Sequence, residues 1–247
     1  MEIDTLKHNF FVAWSDQLAY VLGYFLADGD LTINSRGSHY VNFTSTDLEL
    51  LEKVRKLAGF SQRICPKKCE NKKWKQSYRI QVGSKEIFSQ ICRLGFDKKN
   101  NKIDIEAVPI RYFRHFVRGF FDGDGSVSCG SYGSREKPSY ILLVRFASGD
   151  LQLLKELLAR LRKYARIKGG SVFKNSRGYH LSLSIRDSWR LFGFMYQGVP
   201  EREYLYRKYA VFLRAKQLWG RSSVGLEHMP VTHEIAGSSP VAPAMYR

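Results

Sequence analysis

Two stretches of this chain repeat one another, and the duplication restricts the fold to one assembled from two like halves. VLGYFLADGD at Val21–Asp30 and VRGFFDGDGS at Val117–Ser126 share the frame glycine, aromatic, aromatic, any residue, small residue, aspartate, glycine. Gly23 and Gly119, like Asp28 and Asp124, stand 96 residues apart. FTSTDLELLEKV from Phe43 then matches FASGDLQLLKEL from Phe146 at an offset of 103, so the second copy holds seven extra residues, expected within CGSYGSREKPSY. SYRIQVGSKEIF from Ser77 and GYHLSLSIRDSW from Gly178 continue the match, with Tyr78 in register with Tyr179.

Local patterning gives each copy the same order of elements. Leu18, Val21, Leu22, Phe25 and Leu26 recur at helical spacing, behind the cap candidates Ser15 and Asp16 and ahead of Gly29 as a stop. Tyr40 to Thr44 alternates with period two, and Leu48, Leu51, Val54 and Leu57 return to helical spacing behind Thr46 and Asp47. Tyr78, Ile80 and Val82 alternate in turn, followed by the helical series Ile87, Phe88, Ile91 and Leu94. Each half reads α-β-β-α-β-β-α, an α+β class. The expected division is a first half over 1–109, a second over 110–220 and a tail over 221–247.

The charge selects the partner. Forty Lys and Arg against 23 Asp and Glu leave +17, carried entirely by the body, because the two bases and two acids after Gly220 cancel. A polyanion is implied, nucleic acid foremost. A membrane is a poor alternative, since the longest apolar stretch, Leu18–Ala27, is about half of a bilayer span. The first residues, MEIDTLKHNF, carry acids and no apolar leader, and the four cysteines are few and unevenly spaced. An intracellular setting with reduced thiols is expected. Cys65 and Cys69 lack a second close pair of Cys or His that would complete a zinc site.

The repeated helix has a chemical consequence. Gly23 and Gly119 allow two helix backbones to approach closely, which would bring Asp28 and Asp124 together at helix C-termini, where carboxylates are disfavoured. One D-G pair is an ordinary turn. Two in register, each preceded five residues earlier by glycine, point to a shared divalent cation, with the carbonyls of Ala27 and Gly123 as further ligands. Gly29 and Gly125 would let the chain turn away at once.

VLGYFLADGD and VRGFFDGDGS resemble the paired signature of LAGLIDADG homing endonucleases, and the resemblance runs from Gln17 to Lys216. It implies signature helices at the interface of two pseudo-symmetric halves, with Asp28 and Asp124 binding catalytic metal. It also implies that each four-stranded antiparallel sheet forms a saddle over the DNA major groove. Leu26 departs from the family pattern, where many members carry an acid, while the second copy keeps Asp122. A monomeric, site-specific double-strand endonuclease is expected, using Mg2+, with Mn2+ or Ca2+ able to substitute in binding. The resemblance further points to a lysine after the last helix of each half, here Lys99 and Lys208. The alternatives on the same scaffold are a maturase acting on intron RNA and a DNA-binding regulator without chemistry.

Strand alternation nominates the base-reading residues. In the first half these are Tyr40, Asn42, Thr44, Lys75, Ser77, Arg79 and Gln81; in the second, Arg145, Lys174, His180, Ser182 and Ser184. The loop ENKKWKQ, with Trp74 among lysines, suggests a backbone contact. The tail is expected to be disordered, and AGSSPVAP and SSVGLEH, back-translated, spell arms of a transfer RNA gene, as if the frame ran into one. Removing the chain after Lys216 is expected to cost little.

Overall fold

The computed structural model of the chain describes residues 10–68, 75–97, 102–133, 138–176 and 178–220. The first signature stretch forms α1, Asp16–Asp28, where the Ser15 hydroxyl accepts the Leu18 N–H at 3.0 Å. It runs without a loop into β1, Gly29–Ile33, followed by β2, His39–Ser45. Helix α2, Leu48–Leu57, is capped by Asp47; β3, Cys65–Pro66, β4, Tyr78–Gly83, and α3, Lys85–Arg93, complete the first half. The second half repeats the order: α4, Ile110–Asp124; β7, Gly125–Gly133; β8, Pro138–Ser148; α5, Leu151–Tyr164; β9, Ser171–Asn175; β10, Gly178–Leu183; α6, Ile185–Tyr196. Between the halves lies a small hairpin of β5, Phe96–Asp97, and β6, Lys102–Ile103.

Both large sheets are antiparallel and ordered alike, β1-β2-β4-β3 and β7-β8-β10-β9. The extra residues of the second copy lengthen its first hairpin, since β7 and β8 have nine and eleven residues where β1 and β2 have five and seven. The paired aromatics of the signature also gain a purpose. Tyr24 and Phe25 pack on Phe43 at ring distances of 6.2 and 5.2 Å, and Phe120 and Phe121 on Phe146 at 5.6 and 5.7 Å. Each signature helix therefore binds its own sheet through one face and the other helix through the opposite face, which explains burial on every side.

Helices α1 and α4 form the most extensive helix contact of the molecule. A methyl group added to Gly23 would fall on the Phe116 carbonyl, and one added to Gly119 on the Tyr20 carbonyl. Gly29 and Gly125 were expected to serve turning, but their φ values of −92° and −81° suit any residue. What excludes a side chain there is the ring of Phe25 or Phe121, onto which a Cβ would project.

A buried polar cluster crosses the same interface. The Arg118 side chain is fully buried, donates to the Glu203 and Met195 carbonyls at 3.0 and 3.2 Å, and lies 3.6 Å from the Glu203 carboxylate. Gln17 donates to that carboxylate at 3.0 Å, and Tyr20 donates to Asp122 at 2.7 Å. Asp122 also accepts the Leu205 N–H at 2.9 Å. Removing one partner would strand a buried charge, so these contacts enforce one mutual arrangement of the helices.

One expectation about the C-terminal region requires correction. Helix α7 spans Tyr206–Gly220, beyond Lys216, and Trp219 is buried against Tyr140 and Trp189 at 5.3 and 6.2 Å. A chain ending at Lys216 is expected to be about 3–5 kcal/mol less stable than one ending at Gly220, because a large aromatic leaves the core. Equal denaturant midpoints for the two chains would refute this. Lys99, Trp74 and residues 221–247 lie outside the described residues.

Candidate metal centre and nucleic-acid interface

Because α1 and α4 touch backbone to backbone, their last residues meet. Asp28 and Asp124 line one cleft of about 320 Å³ with Thr44, Ser45, Thr46, Asp47, Ser77, Gly123 and Arg207. The helices remain in contact at their ends, where a Cβ on Gly123 would collide with that of Ala27. Neither carboxylate takes a hydrogen bond or ion pair among the described residues. Burial pushes Asp28 up to about 6, against the pull of Lys208. Burial and then the charge of Asp28 push Asp124 up to about 7. Asp122, in contrast, is held inside by Tyr20 and Leu205, so it belongs to the helix interface rather than to the open pair.

Lys208 occupies the other side of the pair. Its ammonium donates to the carbonyls of Phe121, Asp122 and Gly125 at 2.6, 2.9 and 2.6 Å and lies 3.5 Å from that of Gly123. This closes the C-terminus of α4 with a positive charge, opposing the helix dipole that the acids would otherwise face alone. Lys208 is 6% exposed, and burial lowers it to about 8.

The two acids make the metal-free protein sensitive to pH. Their folded pKa values lie above the usual 3.8, so the folded state holds protons that the unfolded chain releases. Stability from this source is therefore full below about pH 4 and declines as pH rises through 6 and 7. With allowance for partial solvent exposure the loss is on the order of 2 kcal/mol, about 4–8 °C in melting temperature. Adding Ca2+ is expected to restore it at pH 8 and to do little at pH 5. Melting curves that move equally with Ca2+ at both values would contradict the assignment.

The sheet faces turned away from the helices are polar, as alternation predicts. Tyr40, Asn42 and Thr44 share a face with Arg79 and Gln81, while Val41, Phe43, Ile80 and Val82 are buried behind them. Asn42, however, is 5% exposed. It donates to Thr32 at 2.9 Å and accepts from Gln81 at the same distance, so its amide is committed to a cross-strand network. Thr44 and Ser77 line the acidic cleft itself. Lys75 is exposed just before β4.

In the second half, Arg145, His180 and Ser182 lie on the polar face. Lys174 does not. Its register partner is Tyr179, and the pleat places it with Val172 on the helix side, while Phe173 takes the polar face and stacks on His180 at 5.8 Å. Ser184 lies beyond β10 as the residue preceding α6. Sequence alternation missed Asp30 and Thr32, which face Asn42 and Tyr40 across β1, and Ser126, which faces Arg145. The signal for them was present, because each belongs to a strand that follows a signature aspartate directly.

Among the described residues no group of three or more His, Cys, Asp or Glu is placed to hold a metal. The pair must be completed by backbone, water or phosphate oxygens, a donor set suited to a hard cation such as Mg2+. No helix of the described residues is long and apolar enough to cross a membrane.

Known proteins share both the sequence pattern and the fold. A replication factor C small subunit of Methanocaldococcus jannaschii is 29% identical over 194 residues, covering 72% of this chain and 9% of that protein. An uncharacterized protein of the same organism is 24% identical over 195 residues, with 72% of this chain and 65% of its own length covered. The chain thus spans less than two thirds of either relative. Among solved structures, the K262A mutant of I-SmaMI aligns with a TM-score of 0.56 at 17% identity, covering 87% of this chain and 96% of that one. The LAGLIDADG meganuclease I-CpaMI bound to uncleaved DNA aligns at 0.55 and 12%, with the same coverage. I-SmaMI bound to uncleaved DNA in the presence of calcium ions aligns at 0.52 and 17%, again with 87% and 96% covered. Residues 15–94 and 112–193 each match the family described as the LAGLIDADG-like domain, and these segments hold the two glycine-apposed helices and their sheets. With one copy supplying Asp28 and the other Asp124, the chain is a member of the LAGLIDADG family that carries its sequence pattern twice.

Proposed function

We propose that the protein is a site-specific DNA endonuclease that hydrolyses both strands of a long double-stranded target, as a monomer and with Mg2+. The observation that carries this reading is the pair of carboxylates, one from each half and without a partner among the described residues, at the junction of two sheets with polar outer faces. Half-buried carboxylates that repel one another oppose folding unless a cation joins them, so Asp28 and Asp124 fit a metal better than a structural role. When bound there, Mg2+ would supply an activated water and stabilise the leaving 3′-oxygen.

The chain's own residues divide the remaining work. Asp28 and Asp124 hold the cation, and Lys208 offsets their charge while fixing the last turn of α4. Tyr40, Arg79, Gln81, Arg145, His180 and Ser182 present donors and acceptors to base edges, and the positive surface charge holds phosphates. The DNA-bound I-SmaMI and I-CpaMI structures support the same use of this scaffold. The biological setting we propose is homing by an intron-encoded or free-standing enzyme.

The test is cleavage of a randomised double-stranded DNA library with Mg2+. One long site cut by the wild type is the expected result. Binding without cutting would overturn the endonuclease reading in favour of a regulator, and RNA binding alone in favour of a maturase.

A further inference from the structure

We propose that the second half of the protein reads thymine through its C5-methyl group, with Phe173, Leu143 and Ile141, while the first half does not. The inference rests on the proposed binding of double-stranded DNA across the two sheets. Strand pairing fixes which side chains share the outer face of the second sheet. His180 pairs with Ala147 and Phe173, Ser182 with Arg145 and Ser171, Ser128 with Leu143, and Gly130 with Ile141. Leu142, Val144 and Phe146 are buried between them along β8, so Ile141 and Leu143 point away from the core. Phe173 and Ile141 are each 42% accessible, and Leu143 is half-buried.

Apolar residues on an open strand face can simply serve strand formation. The first half supplies the control. At the register positions of Leu143, Ala147 and Phe173 it carries Tyr40, Thr44 and Cys65, and its sheet forms in the same order. The apolar residues are therefore not needed for the sheet. Nor do they make the continuous patch that joins protein to protein, because the row of Ser126, Arg145, Ser182 and Ser171 runs between Phe173 and Leu143. Donors thus alternate with apolar groups on a chain whose charge of +17 selects a polyanion. The DNA major groove offers the matching pattern, in which the thymine methyl is the apolar group among hydrogen-bonding base edges. Phe173 is held ready for it, its ring stacked on His180 at 5.8 Å, so little ordering is lost on contact. Ala147 adjoins Phe146, the partner of Gly125, which places the Phe173 row nearest the acidic cleft and Ile141 at the outer end.

The test selects duplexes from a randomised library by binding in Ca2+, which requires no cleavage. Each selected thymine is then replaced by uracil, which lacks only the methyl. In one half of the site uracil is expected to weaken binding about fourfold per methyl, and in the other half by less than about twofold. Phe173→Ala should remove the sensitivity nearest the centre of the site, and Ile141→Ala the outermost, each with little change in melting temperature. Phe173→Leu should keep it, because an apolar contact remains. Sensitivity that is absent, equal in both halves, or unaltered by the alanine variants overturns the proposal. A wild type that binds no duplex overturns DNA binding and the proposal together. One that binds without cutting overturns the endonuclease reading alone, and the uracil comparison still decides on the methyl contacts. A chain that sediments as a dimer, and as a monomer once Phe173→Ala and Ile141→Ala are combined, would give these residues to a second copy and likewise overturn the proposal.

Discussion

Asp28→Asn or Asp124→Asn is expected to lower cleavage of the target at least about 1000-fold, with neither strand nicked, while affinity in Ca2+ stays within about tenfold. Burial, joined at Asp124 by the charge of Asp28, pushes these groups up to about 6 and about 7. Near neutral pH Asp124, pushed up to about 7, is already protonated about half the time in the metal-free protein, so an amide mimics a state that the fold tolerates. Structure is therefore retained while the charge that holds a cation is halved. A second signature distinguishes this from simple damage. Either variant should melt higher than the wild type in metal-free buffer at pH 8, because the repulsion is gone, and should lose the stabilisation by Ca2+. A variant that still cuts, or that melts lower in the absence of metal, would remove the pair from the chemistry.

Gly119→Val is expected to abolish folding, with a loss above about 4 kcal/mol. The added carbon atoms would occupy the position of the Tyr20 carbonyl and press on the Tyr24 amide, and neither is a side chain able to rotate away. The two helices would separate along their whole length, uncovering Tyr20, Tyr24, Phe116 and Phe120 together. Gly193→Ala is the matched control. Gly193 lies inside α6 with open space around it, so the alanine should stabilise by up to about 1 kcal/mol through helix propensity alone. Soluble Gly119→Val with a wild-type melting curve would show that the close helix contact is dispensable.

Much of this architecture was legible because the chain states it twice. The paired G-aromatic-aromatic frames located the interface, the acids and the direction of each half, and period-two alternation identified most of the polar sheet faces. What escaped has a common physical origin in partners far away along the chain. Arg118 sits where the first copy has Leu22, and nothing local reveals that Glu203 and Met195 receive it inside the protein. Asn42 alternates correctly, yet Thr32 and Gln81 claim its amide from neighbouring strands. Lys174 was misplaced because polarity was read without register, and on an edge strand a lysine is exposed on either face. Lys208, expected to stand near a phosphate, is instead buried with its ammonium on the Phe121, Asp122 and Gly125 carbonyls, partners more than eighty residues away along the chain.

The separation of α1 and α4 along the sequence also bears on how the protein is made. At roughly 5–20 residues per second, the ribosome delivers Gly119 some 5–20 seconds after Gly23. Once Gly83 has been made the first sheet has all its strands, but the outer side of α1, with Tyr20 and Gly23, has nothing to lie against until the second copy follows. A nascent first half thus displays a smooth apolar stripe whose natural complement is a near copy of itself. Two nascent chains on one message present that stripe to each other, so pairing between neighbouring ribosomes competes with the intended pairing until the second copy emerges. Slow decoding between the halves would prolong this exposure, and synonymous codons there become a determinant of yield.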